Sequence, residues 1–278
     1  MTPAATIGLG AIAGFTIYLG LPIGRLRTTS LRVKTMLSGV SAGILVFLLV
    51  EILHDSFEAV ENSVTNANAG TGSWGTFAGL SIAFALGVGI GLLSLFYVMR
   101  AFKPRPKQSI GPGAMAAAEM DEARMRRADA MHLALSIAAA IGLHNFSEGL
   151  AIGQSAHVGD TRLAWLLVIG FGLHNTTEGF GIVGPLSGAG VRTSWKWIGL
   201  FGLIGGGPTF LGTIIGTSFT STYLSVAFLA LAGGAILYVV GELFAGGRKM
   251  DWEMMLWGAF AGFIAGAGTE LVLVLAKV

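Results

Sequence analysis

Eight predominantly apolar stretches of about 20 residues restrict the possible folds of this sequence more than any other feature. A helix of about that length crosses the hydrocarbon core of a bilayer. A transmembrane β-barrel would need alternating apolar and polar residues, whereas these stretches are continuously apolar. We therefore predict an all-α membrane protein with eight transmembrane helices. The predicted spans are Ala4–Gly24, Thr35–Asp55, Trp74–Met99, Asp129–Gln154, Leu163–Leu186, Ile198–Phe219, Tyr223–Leu243 and Met254–Ala276.

The composition excludes several other classes of protein. Charged residues make up 12% of the chain, whereas soluble domains carry about 25%. The 43 glycines suit membrane helices, which approach closely through small residues. Cysteine is absent, which excludes disulfide scaffolds, Cys zinc sites and thiol catalysis. The net charge of +2 predicts no nucleic-acid partner, so the expected surroundings are a lipid bilayer.

The positions of the basic residues predict the orientation in the membrane. With eight spans, every Lys and Arg except Arg162 and Lys277 falls on one side. The positive-inside rule makes that side cytoplasmic and places both termini outside. We predict one polytopic domain over residues 1–278, with a cytoplasmic loop at 101–128 that is a solvated linker, a short surface helix or the start of the fourth span. The expected location is a prokaryotic cell membrane.

The fourth and fifth spans carry nearly the same motif. Leu-His-Asn-x-x-Glu-Gly stands at Leu143–Gly149 and again at Leu173–Gly179, near the middle of each span. A carboxylate at that depth costs roughly 2.5 to 3.5 kcal/mol on insertion scales. No Lys or Arg lies near the centre of either span. A bound cation is therefore expected to neutralise the two Glu residues.

Helix geometry brings the polar residues of each motif together. At about 100° per residue, Glu148 lies between His144 and Asn145 around the helix axis, and the fifth span repeats this arrangement. Imidazole and carboxylate suit Zn²⁺ and Fe²⁺, whereas amide and carboxylate oxygens suit harder ions. One metal or two adjacent metals could bind; the alternative is that these are structural polar residues. The predicted metal ligands are His144, Asn145, Glu148, His174, Asn175 and Glu178.

A weaker repeat relates the second and seventh spans. Gly43–Ile52 aligns with Gly234–Leu243, and each segment contains a Gly followed by a Glu, at Glu51 and Glu242. The two spans run in opposite directions in the predicted topology. This pattern predicts inverted three-helix repeats that flank the central pair of motif helices. Transporters often place the substrate site at such an interface.

Further acidic residues are candidates for a metal route. Glu51, His54 and Asp55 share one face of the second span near its outer end. They predict either an acidic vestibule that attracts cations or a hydrated helix end. Glu242 pairs with Glu51 through the repeat and is a candidate for the same route or for a structural role. Glu270 stands alone in the last span, where we expect a structural or protonated carboxyl.

Two consecutive His-Asn-x-x-Glu-Gly spans in an eight-span protein resemble the ZIP (ZRT/IRT-like) divalent metal transporters, in a bacterial-type member. The seventh span, Leu231–Leu243, is also similar to that of the family. The resemblance implies transport of a divalent metal and no prosthetic group. It also implies a homodimer and an elevator-like motion of the first, fourth, fifth and sixth spans against the others.

The sequence departs from the family pattern at three positions. Ser147 and Thr177 stand where the motifs usually carry Pro, which removes no ligand. Many bacterial members carry a Glu-Pro pair in the sixth span, and here Gly207 precedes Pro208. A second, Asn-containing metal position would then lack a carboxylate. We expect one transport site around His and Glu, with the two Asn residues as neighbours or transient ligands.

The function predicted from the sequence is transport of divalent transition metals into the cytoplasm. Zinc is the first candidate, followed by iron, manganese, cobalt and cadmium, because ligand type alone does not set selectivity. We predict that the protein is not an enzyme. Two alternatives are a membrane metalloenzyme, for which the sequence lacks His-Glu-x-x-His, and a metal sensor, for which it lacks a soluble signalling domain.

Overall fold

The computed structural model describes residues 2–25, 30–102, 114–157, 161–218 and 221–277, although some side chains within these ranges are not described. These residues form helices and turns, and no strand occurs among them, so the all-α prediction is confirmed. The helices are α1 Pro3–Phe15, α2 Ile17–Gly20, a 3-10 turn Leu21–Arg25, α3 Leu31–Asn68, α4 Trp74–Phe102, α5 Ala114–His157, α6 Thr161–Gly188, α7 Trp195–Gly216, α8 Thr222–Arg248 and α9 Trp252–Lys277.

Six helical segments of the described chain are long and apolar enough to cross a membrane. They correspond to the first, second, third, fourth, sixth and seventh predicted spans. The remaining two predicted spans fall in α6 and α9, which are 28 and 26 residues long. These lengths suffice for a crossing. The protein is a multi-pass helical membrane protein, and the count of eight crossings stays a prediction, as does the inverted repeat.

The observed helices differ from the predicted spans in several places. The first span is irregular at Thr16, which lies between α1 and α2 although its backbone angles stay helical, with φ −60° and ψ −20°. Helix α3 continues to Asn68, well beyond the predicted end at Asp55. Helix α5 begins at Ala114, so the latter part of the predicted loop is the start of the fourth helix, whereas residues 103–113 lie outside the described part of the chain.

Short turns between the helices use local signals that the sequence supplies. Ser194 and Ser221 precede α7 and α8, and each side chain accepts a hydrogen bond from a backbone N–H of the first turn. This is the usual role of Ser at a helix N-terminus. Gly70 and Gly190 adopt φ of +74° and +73° after α3 and α6, a conformation that glycine reaches without a Cβ clash. The helices therefore stop at these glycines.

Glycines join α1, α5, α6 and α7 into a first bundle. Gly14 and Gly206 face each other so closely that a Cβ at either would overlap the carbonyl oxygen of the other. Gly179 of α6 packs in the same way on the carbonyl of Ile17. Small residues allow such backbone-to-backbone contact between membrane helices. Similar contacts join Gly142 to Ile204, Gly149 to Thr209 and Gly212 to Phe146.

A second bundle consists of α3, α4, α8 and α9, and it is packed through glycines in the same manner. Gly43 of α3 lies on the carbonyl of Ala259, and Gly262 of α9 lies on the carbonyl of Val40. Helices α4 and α8 are joined by Gly91 and Gly234. Each bundle is thus a unit in which backbones touch directly.

The boundary between the two bundles is packed differently. Glycines of α6 there meet side chains of α3, with Gly184 against Ser41 and Gly188 against Ser38. The Ser41 hydroxyl donates a hydrogen bond of 2.6 Å to the carbonyl of Gly181. The rest of the boundary is a layer of fully buried aliphatic side chains from four helices. They include Leu45, Ile137, Ile141, Ile182 and Ile236.

Candidate metal site

His144 lies between the carboxylates of both motifs. Its Nε2 atom is 3.1 Å from Oε1 of Glu148, one turn along α5, and 3.9 Å from Oε1 of Glu178 on α6. All three side chains are buried, with 5% of His144, 7% of Glu148 and none of Glu178 exposed. The structure therefore brings the two motif copies together at one place inside the first bundle.

Asn145 holds the second motif in position. Its Nδ2 donates to Oε2 of Glu178 at 3.0 Å and to the carbonyl of Gly205 on α7 at 3.0 Å. Both amide protons are thereby used, and Oδ1 of Asn145 makes no hydrogen bond within the described residues. The fully buried Asn145 side chain thus fixes one Glu and leaves an acceptor oxygen open.

Asn175, the equivalent residue of α6, bonds to the first span. Its Nδ2 donates to the carbonyl of Ala13 at 2.9 Å, and the Thr16 hydroxyl donates to that carbonyl at 2.6 Å. The last turn of α1 therefore supplies a polar backbone group for the motif of α6. The Oδ1 atom of Asn175 is buried and makes no hydrogen bond to the described part of the chain.

His174, the remaining predicted ligand, belongs to α6, four residues before Glu178, as His144 precedes Glu148 on α5. The predicted role of the His174 side chain lies outside the described residues.

Several donor atoms at the site are suited to a cation. Oε2 of Glu148 and Oδ1 of Asn145 and Asn175 are buried acceptor atoms without hydrogen bonds in the described part of the chain. Buried polar atoms without partners are uncommon in proteins. Two ligands at 2.0–2.1 Å from a tetrahedral Zn²⁺ lie roughly 3.3 Å apart. The distances of 3.1 Å and 3.9 Å around Nε2 of His144 bracket this value.

Helix α7 contributes a carbonyl and a hydroxyl to this region. Pro208 cannot donate to the carbonyl of Ile204 four residues earlier, and Gly142 of α5 packs on that carbonyl. The next carbonyl, of Gly205, accepts from Asn145. Thr209 lies one turn further along α7, on the same face as Gly205, and is fully buried. Its hydroxyl makes no hydrogen bond to the described residues. No sequence pattern indicated Thr209, because the role of Gly205, one turn earlier, depends on how α7 packs against α5.

Gly207 does not occupy the position that the family resemblance suggested. It lies on the opposite side of α7 from Gly205, together with the exposed residues Leu203 and Leu211. A Cβ at Gly207 would contact only the Leu203 side chain, at 3.5 Å, among the described residues. A carboxylate at this position would therefore point away from the two Asn side chains.

Three carboxyl groups of the second bundle face the site. Glu51 of α3 and Glu270 of α9 share a hydrogen bond. Glu270 interacts electrostatically with Glu148, and Asp55 interacts with both His144 and Glu148. The expectation that Glu270 stands alone is thus wrong, because α9 packs along α3. Sequence spacing contained no signal for this contact.

An exposed cluster continues this acidic region outward along α3. His54, Asp55 and Glu58 are exposed, and their candidate ligand atoms all lie within 4.8 Å of one another. Asp55 belongs both to this cluster and to the charges around His144. We call these three residues the outer cluster. Two Arg–carboxylate pairs, Arg32–Asp251 and Arg126–Glu122, lie away from it, toward the basic ends of the helices.

Glu242 is placed far from the outer cluster. It is exposed near the end of α8, accepts a hydrogen bond from Tyr238, and lines a cavity together with Arg100 and Lys34. The structure therefore separates Glu242 from Glu51, at opposite ends of the boundary between the bundles.

Fold and site together define a multi-pass helical membrane protein with a buried cluster of His, Glu and Asn side chains, which are residue types that bind cations. The family model of the ZIP zinc transporters matches residues 105–250, which contain both motifs. This match covers just over half of the chain, and the chain belongs to the ZIP zinc transporter family. Membership supports transport of divalent metal cations and favours transport over catalysis. A search of curated proteins gave no match.

Proposed function

We propose that this protein carries Zn²⁺ into the cytoplasm through one site between α5 and α6. His144, Glu148, His174 and Glu178 are the metal ligands, and Asn145 and Asn175 are neighbours that orient them or bind the ion in passing. The observation that carries this proposal is the position of Nε2 of His144 between the carboxylates of Glu148 and Glu178.

Zinc is the first candidate because nitrogen and carboxylate ligands at these spacings suit a small tetrahedral cation. Fe²⁺, Mn²⁺, Co²⁺ and Cd²⁺ accept the same donor types, so we expect them to compete for the site. No Cys is present to restrict the site to soft metals. The metal is the transported substrate, and the protein needs no prosthetic group.

The metal reaches the site along α3. The outer cluster of His54, Asp55 and Glu58 is exposed and attracts cations. From Asp55, electrostatic contact extends to His144 and Glu148, and Glu51 and Glu270 flank the route. A cation moving inward therefore passes from hydrated carboxylates to buried ligands and stays close to negatively charged groups throughout.

Release to the cytoplasm requires movement of the first bundle against the second. The layer that contains Ile137, Ile182 and Ile236 separates the site from the basic end of the protein. Each bundle is held by backbone contacts at glycines, whereas the boundary between bundles has side-chain contacts and one Ser41 hydrogen bond. Sliding at this boundary would therefore cost less than separating helices within a bundle. Glu242 lies on the inner part of the route.

We further propose that the protein functions as a homodimer in the cell membrane, with both termini outside. The large apolar side chains exposed on α4 and α9, such as Leu86, Ile90, Trp257 and Phe260, are suited to lipid or to a second copy. The position of the outer cluster, at the end opposite to the basic residues, supports import rather than export.

Metal flux into proteoliposomes tests the proposal. Wild type should give saturable Zn²⁺ uptake, and Glu148→Gln/Glu178→Gln should lose most of it, because the substitutions keep side-chain shape and remove both charges. Glu253→Gln, an exposed position in the first turn of α9, is the matched control. Normal uptake by the folded double variant would reject this site. Absence of uptake by folded wild type with all five metals would favour an enzyme or a sensor.

A further inference from the structure

A cavity of about 720 Å³ lies at the basic end of the protein, where the two bundles meet. Helices α3, α4 and α8 form one side of it, and α5 and α6 form the other. Pro185 of the cavity wall is seven residues from Glu178, about 10 Å along α6. The aliphatic layer with Ile182 fills that interval. The cavity is therefore separate from the candidate metal site.

Three cationic side chains line this cavity: Lys34 of α3, Arg100 of α4 and Arg126 of α5. Arg126 pairs with Glu122 at 3.2 Å. Lys34 and Arg100 form no ion pair with the described residues. The Nζ atom of Lys34 lies beside Gly190, just after α6, only 3.0 Å from where a Cβ of that residue would stand. Unpaired positive charge from the second bundle thus faces a partly open cavity whose opposite wall belongs to the first bundle.

The acidic residues of the lining do not form a cation site. Glu242 accepts a hydrogen bond from Tyr238. Asp129, His132 and Glu242 do not form a group of three whose candidate ligand atoms all lie within 4.8 Å of one another. Among the described residues, the outer cluster is the group that meets this distance. The lining carries three cationic groups against the two carboxylates of Asp129 and Glu242, so it is not a site that retains a divalent metal, although a transported ion can pass Glu242. An anion fits this charge arrangement better.

Most of the rest of the lining is apolar or aromatic. It includes Phe96, Leu133, Leu243 and Met250. The volume is within the usual range for a small-molecule site. Basic pockets between helices at the cytoplasmic face of membrane proteins bind phosphate headgroups of lipids. A phosphate on a short apolar chain would match both parts of this wall.

We propose that this cavity binds a phosphate-bearing anion through Lys34 and Arg100, with Arg126 at its edge. The source is either the headgroup of an anionic phospholipid or a free phosphate. The ligand contacts α3 and α4 of one bundle while it lies against α5 and α6 of the other. Its binding holds the boundary between the bundles in the present arrangement and slows transport.

Binding is measured without transport, so that it is independent of the proposed function. The thermal stability of purified protein is followed with inorganic phosphate, with dioctanoyl phosphatidylglycerol and with dioctanoyl phosphatidylcholine. A ligand that binds the native state raises Tm. We expect phosphatidylglycerol to raise Tm and phosphatidylcholine not to do so. A rise with phosphate as well identifies the phosphate group as sufficient, whereas a rise with the lipid alone identifies a headgroup site.

Matched variants locate the effect. Lys34→Gln/Arg100→Gln should weaken binding by about tenfold or more, since two charge-assisted hydrogen bonds are lost. Lys196→Gln, an exposed basic residue on the same predicted side, should bind like wild type. Equal Tm shifts in wild type and the double variant would overturn the proposal. A loss of the Tm shift in Lys196→Gln as large as that in the double variant would overturn it as well. The double variant could instead change the Tm shift caused by Zn²⁺ and leave the Tm shift caused by phosphate unchanged. That result would also overturn the proposal and would indicate that the cavity binds the metal on its route.

The regulatory part is tested by flux in vesicles of phosphatidylcholine with and without phosphatidylglycerol. We expect the double variant to transport two- to tenfold faster than wild type in the anionic vesicles and equally fast in the neutral ones. Both proteins experience the same surface charge, so accumulation of Zn²⁺ at the membrane cancels in the comparison. Equal rates in both vesicle types would refute regulation by the bound anion.

Discussion

Asn145 of α5 donates a hydrogen bond of 3.0 Å to Oε2 of Glu178 on α6, and so connects the two copies of the His-Asn-x-x-Glu-Gly motif. The same amide nitrogen also donates to the carbonyl of Gly205. One residue of the first motif therefore sets the orientation of the Glu of the second motif. The two copies act as one site rather than as two equivalent half-sites.

We expect Asn145→Ala to weaken Zn²⁺ binding by roughly 10- to 100-fold, the usual effect of removing a group that orients a metal ligand. Glu178 would lose this hydrogen bond and become less fixed in orientation. Competition with a zinc indicator in detergent measures the affinity. Ser136→Ala removes a hydroxyl from the same helix, where it donates to the carbonyl of His132, and should leave affinity unchanged. Unchanged affinity in Asn145→Ala would contradict the orienting role.

The outer cluster should affect capture of the metal more than its translocation. Glu58→Gln is expected to raise KM for uptake by roughly two- to tenfold and to leave the maximal rate nearly unchanged, because local cation concentration depends on nearby charge. The salt dependence of uptake should also become weaker. Glu61→Gln, an exposed residue of the same helix, is the control. An equal rise in KM for both variants would indicate general surface charge instead.

Backbone contacts at glycines should be sensitive to a single methyl group. Gly14→Ala places a Cβ on the carbonyl of Gly206, and the overlap should cost about 1–3 kcal/mol and lower Tm in detergent. Gly8→Ala is on the same helix, where no atom lies within 4 Å of the added Cβ, and it should be nearly neutral. Equal stability of both variants would show that α1 and α7 are loosely packed.

A cross-link between the bundles should stop transport. A Cβ at Gly188 would lie 3.4 Å from Cβ of Ser38, close to the usual separation in a disulfide, about 3.8 Å. Oxidised Ser38→Cys/Gly188→Cys should therefore be inactive, and a reductant should restore uptake. The pair Gly247→Cys/Met255→Cys, with a separation of 3.2 Å, lies within the second bundle and should stay active when oxidised. Uptake by the oxidised first pair would argue against relative movement.

Accessibility of single cysteines tests the count of eight crossings, because the chain has no Cys of its own. In intact cells, a membrane-impermeant maleimide should label Gln154→Cys and Lys277→Cys but not Arg192→Cys or Lys249→Cys. These positions flank the predicted fifth and eighth spans, which fall in α6 and α9. Labelling of Arg192→Cys from outside would mean that α6 does not cross.

The proximity of His144, Glu148 and Glu178 was largely predictable because its determinants are local. Each motif fits on two turns of a helix, and helical periodicity alone places Glu148 beside His144. The cost of isolated carboxylates in a bilayer then requires the two copies to meet. The class of fold was predictable for a similar reason, since bilayer thickness sets the length of apolar segments.

The contacts between distant segments were not predictable. Glu51 and Glu270 meet because α3 and α9 pack through Gly43 and Gly262, and no spacing in the sequence indicates which helix faces align. Gly207 was placed at the site by resemblance, but the rotation of α7 puts it on the outer face. The start of α5 at Ala114 was also ambiguous, because the polar residues of its first turns resemble a linker.

The polar contact between the first span and α6 has a consequence for biosynthesis. The carbonyl of Ala13 accepts a hydrogen bond from the Thr16 hydroxyl nearby, whereas Asn175, its second side-chain donor, is synthesised 162 residues later. While the chain is being made, Thr16 therefore supplies the side-chain hydrogen bond to this oxygen, and Asn175 joins it only after α6 has been inserted. The contact between the first span and the motif of α6 is thus a late step of assembly, and a chain stalled on the ribosome before α6 would lack it.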